Sequence, residues 1–357
     1  MLLGYALSPF GHHPDAWRQA RDGRLLGFDA LLDQVSAAET AGFDFVLLAD
    51  RVGLRPVDDL SSVAVPFEPT LLASALATRV KRIGIVAAAV TAQHEPYNLA
   101  RRFASLDLIT KGRAGWMVVA DGADAARERE YVDVVKTLWD SFEDDAFVYD
   151  KVAGRFFDPS KMHIAHHSRT HFSVRGPLNV NRSPQGRPVM AHLLDGGNDT
   201  LAFETGELLL LQARAAEDLV RTAGRTIKAI ESAGRRREDI RILASIGPVI
   251  ASAAQDMNER LELSGEDRTA QPLLATRLLG TPRMIVDQLQ ELKAVADLDG
   301  FTILPPTLEM GQRFVADVVP EFRQRGLIND GSDATLRDRL RLARPVHPAV
   351  SLREVSR

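Results

Sequence analysis

The chain has 357 residues, 45% of them hydrophobic and 26% charged, with a formal net charge of −4, the proportions of an ordinary globular protein. The acidic balance argues against general nucleic-acid binding. The sequence has no cysteine, which excludes disulfides, thiolate metal sites and cysteine nucleophiles.

No apolar run approaches the roughly 18 residues of a membrane helix. The opening MLLGYALSPFGHH carries no basic segment ahead of its apolar residues, so a cytoplasmic placement with no membrane partner is expected. Strand one is read in LLGYAL (2–7). The helix FDALLDQVSAAETAG follows, closed by Gly42 where a left-handed residue ends a helix. Strand two is FDFVLLA (43–49), and EPTLLASALATRV opens the next helix with an acid beside a proline. Strand three is RIGIVAAAV (82–90), the following helix EPYNLARRFASLDLIT, strand four AGWMVVA (114–120), and the next helix AREREYVDVVKTLWDSF. From 143 to 187 no strong helix signal appears. Strand five, PVMAHLL (188–194), runs into Asp195-Gly196-Gly197-Asn198. Strand six is ELLLLQ (207–212), AAEDLVRTAGRTIKAIESAG is helical, and strand seven is IRILASIGPVI (240–250). In TPRMIVDQLQELKAVA, Thr281 and Pro282 form a helix start signal. Strand eight, GFTILPP (300–306), precedes the helix GQRFVADVVPEFRQRG.

These strands are nearly continuous in apolar residues, as parallel strands buried on both faces are. Eight βα units predict an α/β fold, the (β/α)8 TIM barrel, with a doubly wound sheet as the structural alternative. The whole chain, 1–357, reads as one domain with an insertion at 143–187 between strands four and five. The charged tail, 327–357, is expected to wrap the outside or meet another subunit.

In such a barrel the active site lies at the C-terminal ends of the strands. His12, His13, Asp50, Thr91 and His94 fall there and would line a polar pocket suited to a cofactor or substrate; Gln212 ends strand six. The turn after strand five poses a sharper question. Glycines ending a buried strand bring bare N–H groups up to an anion such as phosphate, yet Asp195 would repel one. HIAHHSRTH gathers His163, His166, His167 and His171, whose spacing permits one helix face. No carboxylate falls inside that run, and a histidine-rich surface loop rather than a metal site is expected. The sequence has no G-x-S-x-G elbow, P-loop or strand–GxGxxG–helix element.

GHHPDAWR (11–18), GFDFVLLADR (42–51), EPYNLARRFASLD (95–107), GRAGW (112–116), FSVRGPLNVNRSPQGRPV (172–189) and LLGTP (278–282) resemble the luciferase-like flavin monooxygenases. The resemblance is to the branch with nitrilotriacetate monooxygenase, dibenzothiophene-sulfone monooxygenase and the pristinamycin synthase subunit, and it runs in order to TLRDRLRLARP (335–345). It implies the barrel independently, and it implies two-component chemistry. A separate NAD(P)H:flavin reductase supplies reduced FMN, whose hydroperoxide oxygenates a small organic substrate; a homo-oligomer is also implied. Asp50 and Thr91 match flavin-contacting positions. His12, His13 and His94 fall on loops bordering the substrate side, where a histidine donates a hydrogen bond or moves a proton.

The departures cluster at the phosphate end. After GRAGW relatives read Asn-Val-Val-Thr-Ser and a long loop; here Met117 to Asp121 follow and most of the loop is missing. Where relatives carry an Arg-Tyr pair, this chain has Asp124-Ala125. Where they read Ala-Gly-Ser-Ser, it has Leu193-Leu194-Asp195-Gly196. Two like charges at about 4 Å repel by roughly 1 kcal/mol in water-like surroundings and about 4 kcal/mol at an effective dielectric of 20. Gly196 and Gly197 offer backbone donors in partial compensation. Three readings stay open: a working FMNH2-dependent monooxygenase with a rearranged phosphate grip, a non-catalytic barrel that binds another ligand or pairs with an active paralogue, and use of a deazaflavin.

Overall fold

The computed structural model describes residues 1–19, 23–49, 67–120, 122–194, 196–197, 199–251, 274–328 and 334–355. All eight strands expected from sequence form, and they close into a ring. They are β1 Leu2–Ala6, β2 Phe45–Leu48, β3 Gly84–Val90, β4 Ala114–Val119, β7 Val189–Leu194, β8 Leu208–Leu211, β9 Arg241–Ile250 and β11 Gly300–Ile303. Every neighbouring pair is parallel, β1 lies between β11 and β2, and β8 pairs with β9 to shut the ring. The register fixes the barrel type. Leu2 leads through Gly300 and Leu243 to Leu210. Ala6 leads the other way through Leu47, Val86 and Gly115 to Val189, two residues before Ala191 and so level with Gly206, two before Leu208. Four residues on β1 in one sense meet four on β8 in the other, a closure displacement of eight that belongs to the TIM barrel.

The helices form where their termini are signalled. In α1 (Phe28–Ala41) the chain leaves the helix through Gly42 at φ 89°, a conformation that costs glycine little. The Glu68 carboxylate accepts from the Leu71 N–H at the start of α2 (Pro69–Ala77). Helices α3 (Pro96–Thr110), α4 (Ala125–Trp139), α6 (Ala216–Ser232) and α7 (Pro282–Val295) follow, the last capped by Thr281 through the Met284 N–H. The expected helix near 311–326 runs as α8 (Leu308–Arg313), a π turn (Phe314–Val318) and α9 (Val319–Gln324). Among the elements not anticipated are the short α5 (Thr200–Thr205) and β10 (Thr276–Gly280), which lies on the far half of β9 outside the ring.

The ring sorts its side chains by alternation. Leu209, Leu211, Ala244, Ile246, Phe301 and Ile303 face the helices, while Leu208, Leu210, Leu243 and Leu304 face the barrel interior. The tail differs from expectation. Helix α10 (Leu336–Arg339) sends Leu336, with Leu340 and Leu342 after it, into that interior cluster. It enters at the N-terminal end of the strands, since Leu336 packs on Gly84 and Gly115. There the Arg337 guanidinium makes a two-pronged pair with Glu207 at 2.7 and 2.8 Å. This segment plugs the lower mouth instead of wrapping the outside, because an open barrel end exposes apolar interior that three leucines cover. Beyond it, Arg344 pairs with Asp144 and Arg353 with Glu143, which fastens the tail and α11 (Pro348–Val355) to the insertion.

Within the insertion the four histidines share no helix. A short hairpin forms from β5 (His167–Ser168) and β6 (Ser173–Val174). The buried Glu130 of α4 pins it, accepting from His167 Nε2 at 3.0 Å and from the Phe172 N–H at 2.9 Å. His163 meets Glu143 at 2.9 Å, and His171 lies 3.9 Å from Asp124. The carboxylates absent from the sequence run are thus supplied from elsewhere. Glu143, His163 and His347 come close enough to suit a metal ion. However, both Glu143 oxygens are already engaged, and the His347 ring bonds the Asp140 carbonyl and the Ala349 N–H.

Candidate active site

With the lower mouth plugged, the C-terminal ends of the strands form the accessible face. Asp50 and Asp195 lie outside the described residues. His12 and His13 follow β1 in a loop tied to the end of β11, the His12 N–H donating to the Pro305 carbonyl and the His13 N–H to that of Pro306. Gly11 allows this approach; a Cβ there would stand 2.4 Å from the Pro306 oxygen, and its φ is +114°. The His12 ring is half-buried and its Nε2–H donates to the Ala6 carbonyl at 3.0 Å. Burial holds its pKa down to about 4, so His12 is a neutral imidazole at pH 7. His13 is also depressed, by burial first and then by the Arg277 charge.

The second group lies two strands away. Thr91 is fully buried and its hydroxyl faces the Val119 carbonyl at 3.4 Å. His94 is half-buried, and its carbonyl accepts from the Tyr131 hydroxyl at 2.9 Å. Arg127, in the first turn of α4, is the residue that sequence reasoning missed. Its Nη2 reaches the Thr91 carbonyl at 3.4 Å. Its guanidinium sits 5.8 Å from the centre of the Tyr131 ring and 5.2 Å from that of Phe172, an arrangement that holds a cation in place. Glu128 pairs with it at 2.8 Å, and the Arg127 side chain keeps 29% of its surface exposed. The available signal was its place in ARERE just before the apolar run of α4.

At the phosphate end, Gly196 and Gly197 are exposed and Gly196 has φ +86° with open space where a side chain would stand. Backbone conformation, not crowding, selects glycine there. Across the mouth, Asp124 caps α4, its Oδ1 accepting from the N–H groups of Ala126 and Arg127 at 2.9 and 3.1 Å. Helix α4 lies beside α5 through an Arg129–Glu204 bridge of 2.6 Å. Among the described residues the donors at this end are the Arg127 guanidinium, which Glu128 pairs, and the Gly196 amide, with a carboxylate already on the α4 terminus. That set fits a single anionic group held mainly by Arg127. It does not reproduce a hydroxyl-lined phosphate cup.

A family model described as luciferase-like monooxygenase matches residues 7–344. The chain belongs to that family. N-acetyl-S-(2-succino)cysteine monooxygenase of Bacillus subtilis (strain 168) is 32% identical over 435 aligned positions covering 97% of each chain. Nitrilotriacetate monooxygenase component A of Aminobacter aminovorans is also 32% identical, covering 97% of each. A solved riboflavin lyase, with modified FMN and riboflavin bound, has a TM-score of 0.83 at 26% identity, covering 98% of this chain and 99% of that one. Named relatives are monooxygenases of the flavin-dependent oxidoreductase class, and this chain is an enzyme of that class. Since 97% of 357 is about 346 residues, 435 minus 346 leaves about 89 aligned positions without a counterpart here. The chain is shortened inside its family framework. Among the described residues no helix is long and apolar enough to cross a membrane.

Proposed function

We propose that the chain is the oxygenating component of a two-component system, taking reduced FMN from a separate NAD(P)H:flavin reductase to oxygenate a small organic substrate. The observation that carries this reading is Arg127, a partly exposed cation fixed by two aromatic rings at the mouth of a family barrel. Arg127, with the Gly196 amide, holds the flavin phosphate; Thr91 borders the ring, and Asp50 is assigned beside it from the resemblance. Bound reduced flavin supplies the two electrons that activate oxygen. The chain's own part is to seat the ring, keep water out and manage protons. His12 does the last poorly, since its N–H is spent on the Ala6 carbonyl and it is neutral at pH 7. His13 and His94, both half-buried at the mouth, are the better candidates for the substrate side.

A second reading has its own support: Asp124 already occupies the first amides of α4, so the barrel takes a ligand without phosphate in place of FMN. Anaerobic titration with photoreduced FMN and riboflavin separates the two. Charge-assisted bonds of about 1.5–3 kcal/mol correspond to a preference of about 10- to 150-fold for FMNH2 over riboflavin, lost in Arg127→Gln. Absence of flavin binding in the unaltered protein overturns the oxygenase reading in favour of the second.

A further inference from the structure

Inside the barrel, one run of positions breaks the apolar lining. Alternation along β8 turns Leu208 and Leu210 inward, so the next inward position is Gln212; on β9 and β11 the same alternation turns Ser245 and Thr302 inward. Ser245 and Thr302 are register partners, and one step past the Leu211–Ala244 pair brings Gln212 level with Ser245. Because the strands tilt, the three positions form a column. Gln212 is nearest the upper mouth, Ser245 lies a step lower, and Thr302 below that, beneath Leu304. All three side chains are buried, at 7%, 1% and 0% exposure. Among the described residues, Gln212 Nε2 and Thr302 Oγ1 have no hydrogen-bond partner. Buried polar atoms in native proteins are nearly always satisfied, so an orphan in a site is an argument for something that fills it.

By the same register and displacement, Gln212 shares its layer with Ala49, Val119 and Leu304, and Ser245 with Ala6, Ala88 and Leu193. Small side chains dominate these upper layers. Leucines and Phe45 fill the lower ones. The column carries an amide and two hydroxyls and no charge, which complements a neutral edge of carbonyls and ring N–H, not a carboxylate or an ammonium group.

We infer that Gln212, backed by Ser245 and Thr302, binds the imide edge of the flavin ring and so fixes which end of the ring enters the barrel. The inference rests on the flavin reading above. The dimethylbenzenoid edge has no hydrogen-bonding atoms and leaves Gln212 unsatisfied, so it points away from β8, β9 and β11. Gln212 is a positioning residue in this account.

The test is a pair of variants, Gln212→Met and Thr302→Val, each measured for melting temperature without flavin and for affinity to oxidised FMN and riboflavin. Removing an unpartnered amide leaves the melting temperature unchanged or raises it, whereas loss of a purely structural group lowers it. Gln212→Met is expected to weaken FMN and riboflavin alike, by about tenfold, because both carry the same ring; Thr302→Val shifts both in the same direction by less. Arg127→Gln, by contrast, affects FMN alone. If the unaltered protein binds flavin and Gln212→Met binds it equally well, the inference is wrong while the flavin reading stands. If the unaltered protein binds neither flavin, both fall together.

Discussion

The plugged lower mouth makes a quantitative prediction at Arg337. Its side chain is 3% exposed and that of Glu207 24% exposed. Burial is the largest single influence and works against the Glu207 charge, but the Arg337 guanidinium, the Met190 N–H and the Arg235 charge together hold that carboxyl below its usual pKa. Arg337→Met keeps the length of the stem and removes two charge-assisted bonds to Glu207 along with the donors to the Ala343 and Arg187 carbonyls, leaving a carboxylate facing the barrel floor. Removing one member of a buried pair costs about 3–5 kcal/mol; the partial exposure of Glu207 argues for the lower end, about 3 kcal/mol. At about 2.1 cal/mol/K per residue, a chain of 357 residues has an unfolding entropy of about 0.75 kcal/mol/K. The melting temperature should therefore fall by about 4 °C in calorimetry. The double variant Arg337→Met, Glu207→Met restores an apolar floor and should recover at least half of that loss. A shift below about 1 °C for the single variant, or a double variant worse than both singles, would falsify the claim that this pair fastens the plug.

Two further outcomes are expected. His12 is held near pKa 4 in the fold by burial against about 6.5 unfolded, so the unfolded chain takes up a proton that the folded chain refuses. Stability contributed by neutral His12 is complete above pH 6.5 and falls by about 1.4 kcal/mol per pH unit down to pH 4. His12→Gln keeps an N–H donor and should flatten the acid limb of a urea-stability profile over that window; parallel profiles would show that His12 is not buried as a neutral ring. Glu130→Ala removes the acceptor shared by His167, His171 and Phe172. Trypsin should then cut at Arg169 or Arg175 on the order of tenfold faster, and unchanged cleavage would mean that other contacts hold the hairpin.

The barrel was legible because a parallel strand buried on both faces writes itself as an unbroken apolar run, and because Gly42, Glu68 and Thr281 mark helix ends with local chemistry. The same continuity hid what matters inside. In LLLLQ nothing tells which leucines face the helices, so Gln212 could not be assigned to the interior until the ring closed. Leu336, Leu340 and Leu342 alternate with arginines in a stretch that reads as a solvated tail; only an open barrel floor makes them core residues. Short α5 and β10 carry too few residues for a period to show. Arg127 is a member of a charge run until folding brings Thr91 from one side and Phe172 from the other.

That placement bears on the glycine turn after β7. The sequence suggested a phosphate site deprived of hydroxyls and burdened with acids. The fold keeps both halves of the problem: Asp124 lies on the α4 amides, and a cation stands three residues further along the same helix. A guanidinium held 5.8 and 5.2 Å from two ring centres loses little freedom on meeting an anion. On the function proposed above, one fixed cation substitutes for several weaker donors, and it does so from a helix rather than from the loop that this shortened chain lacks. It also makes the grip more sensitive to salt than a cup of neutral donors, since a partly exposed charge is screened and hydroxyl bonds are not. On the function proposed above, phosphate recognition rests on α4 rather than on the turn.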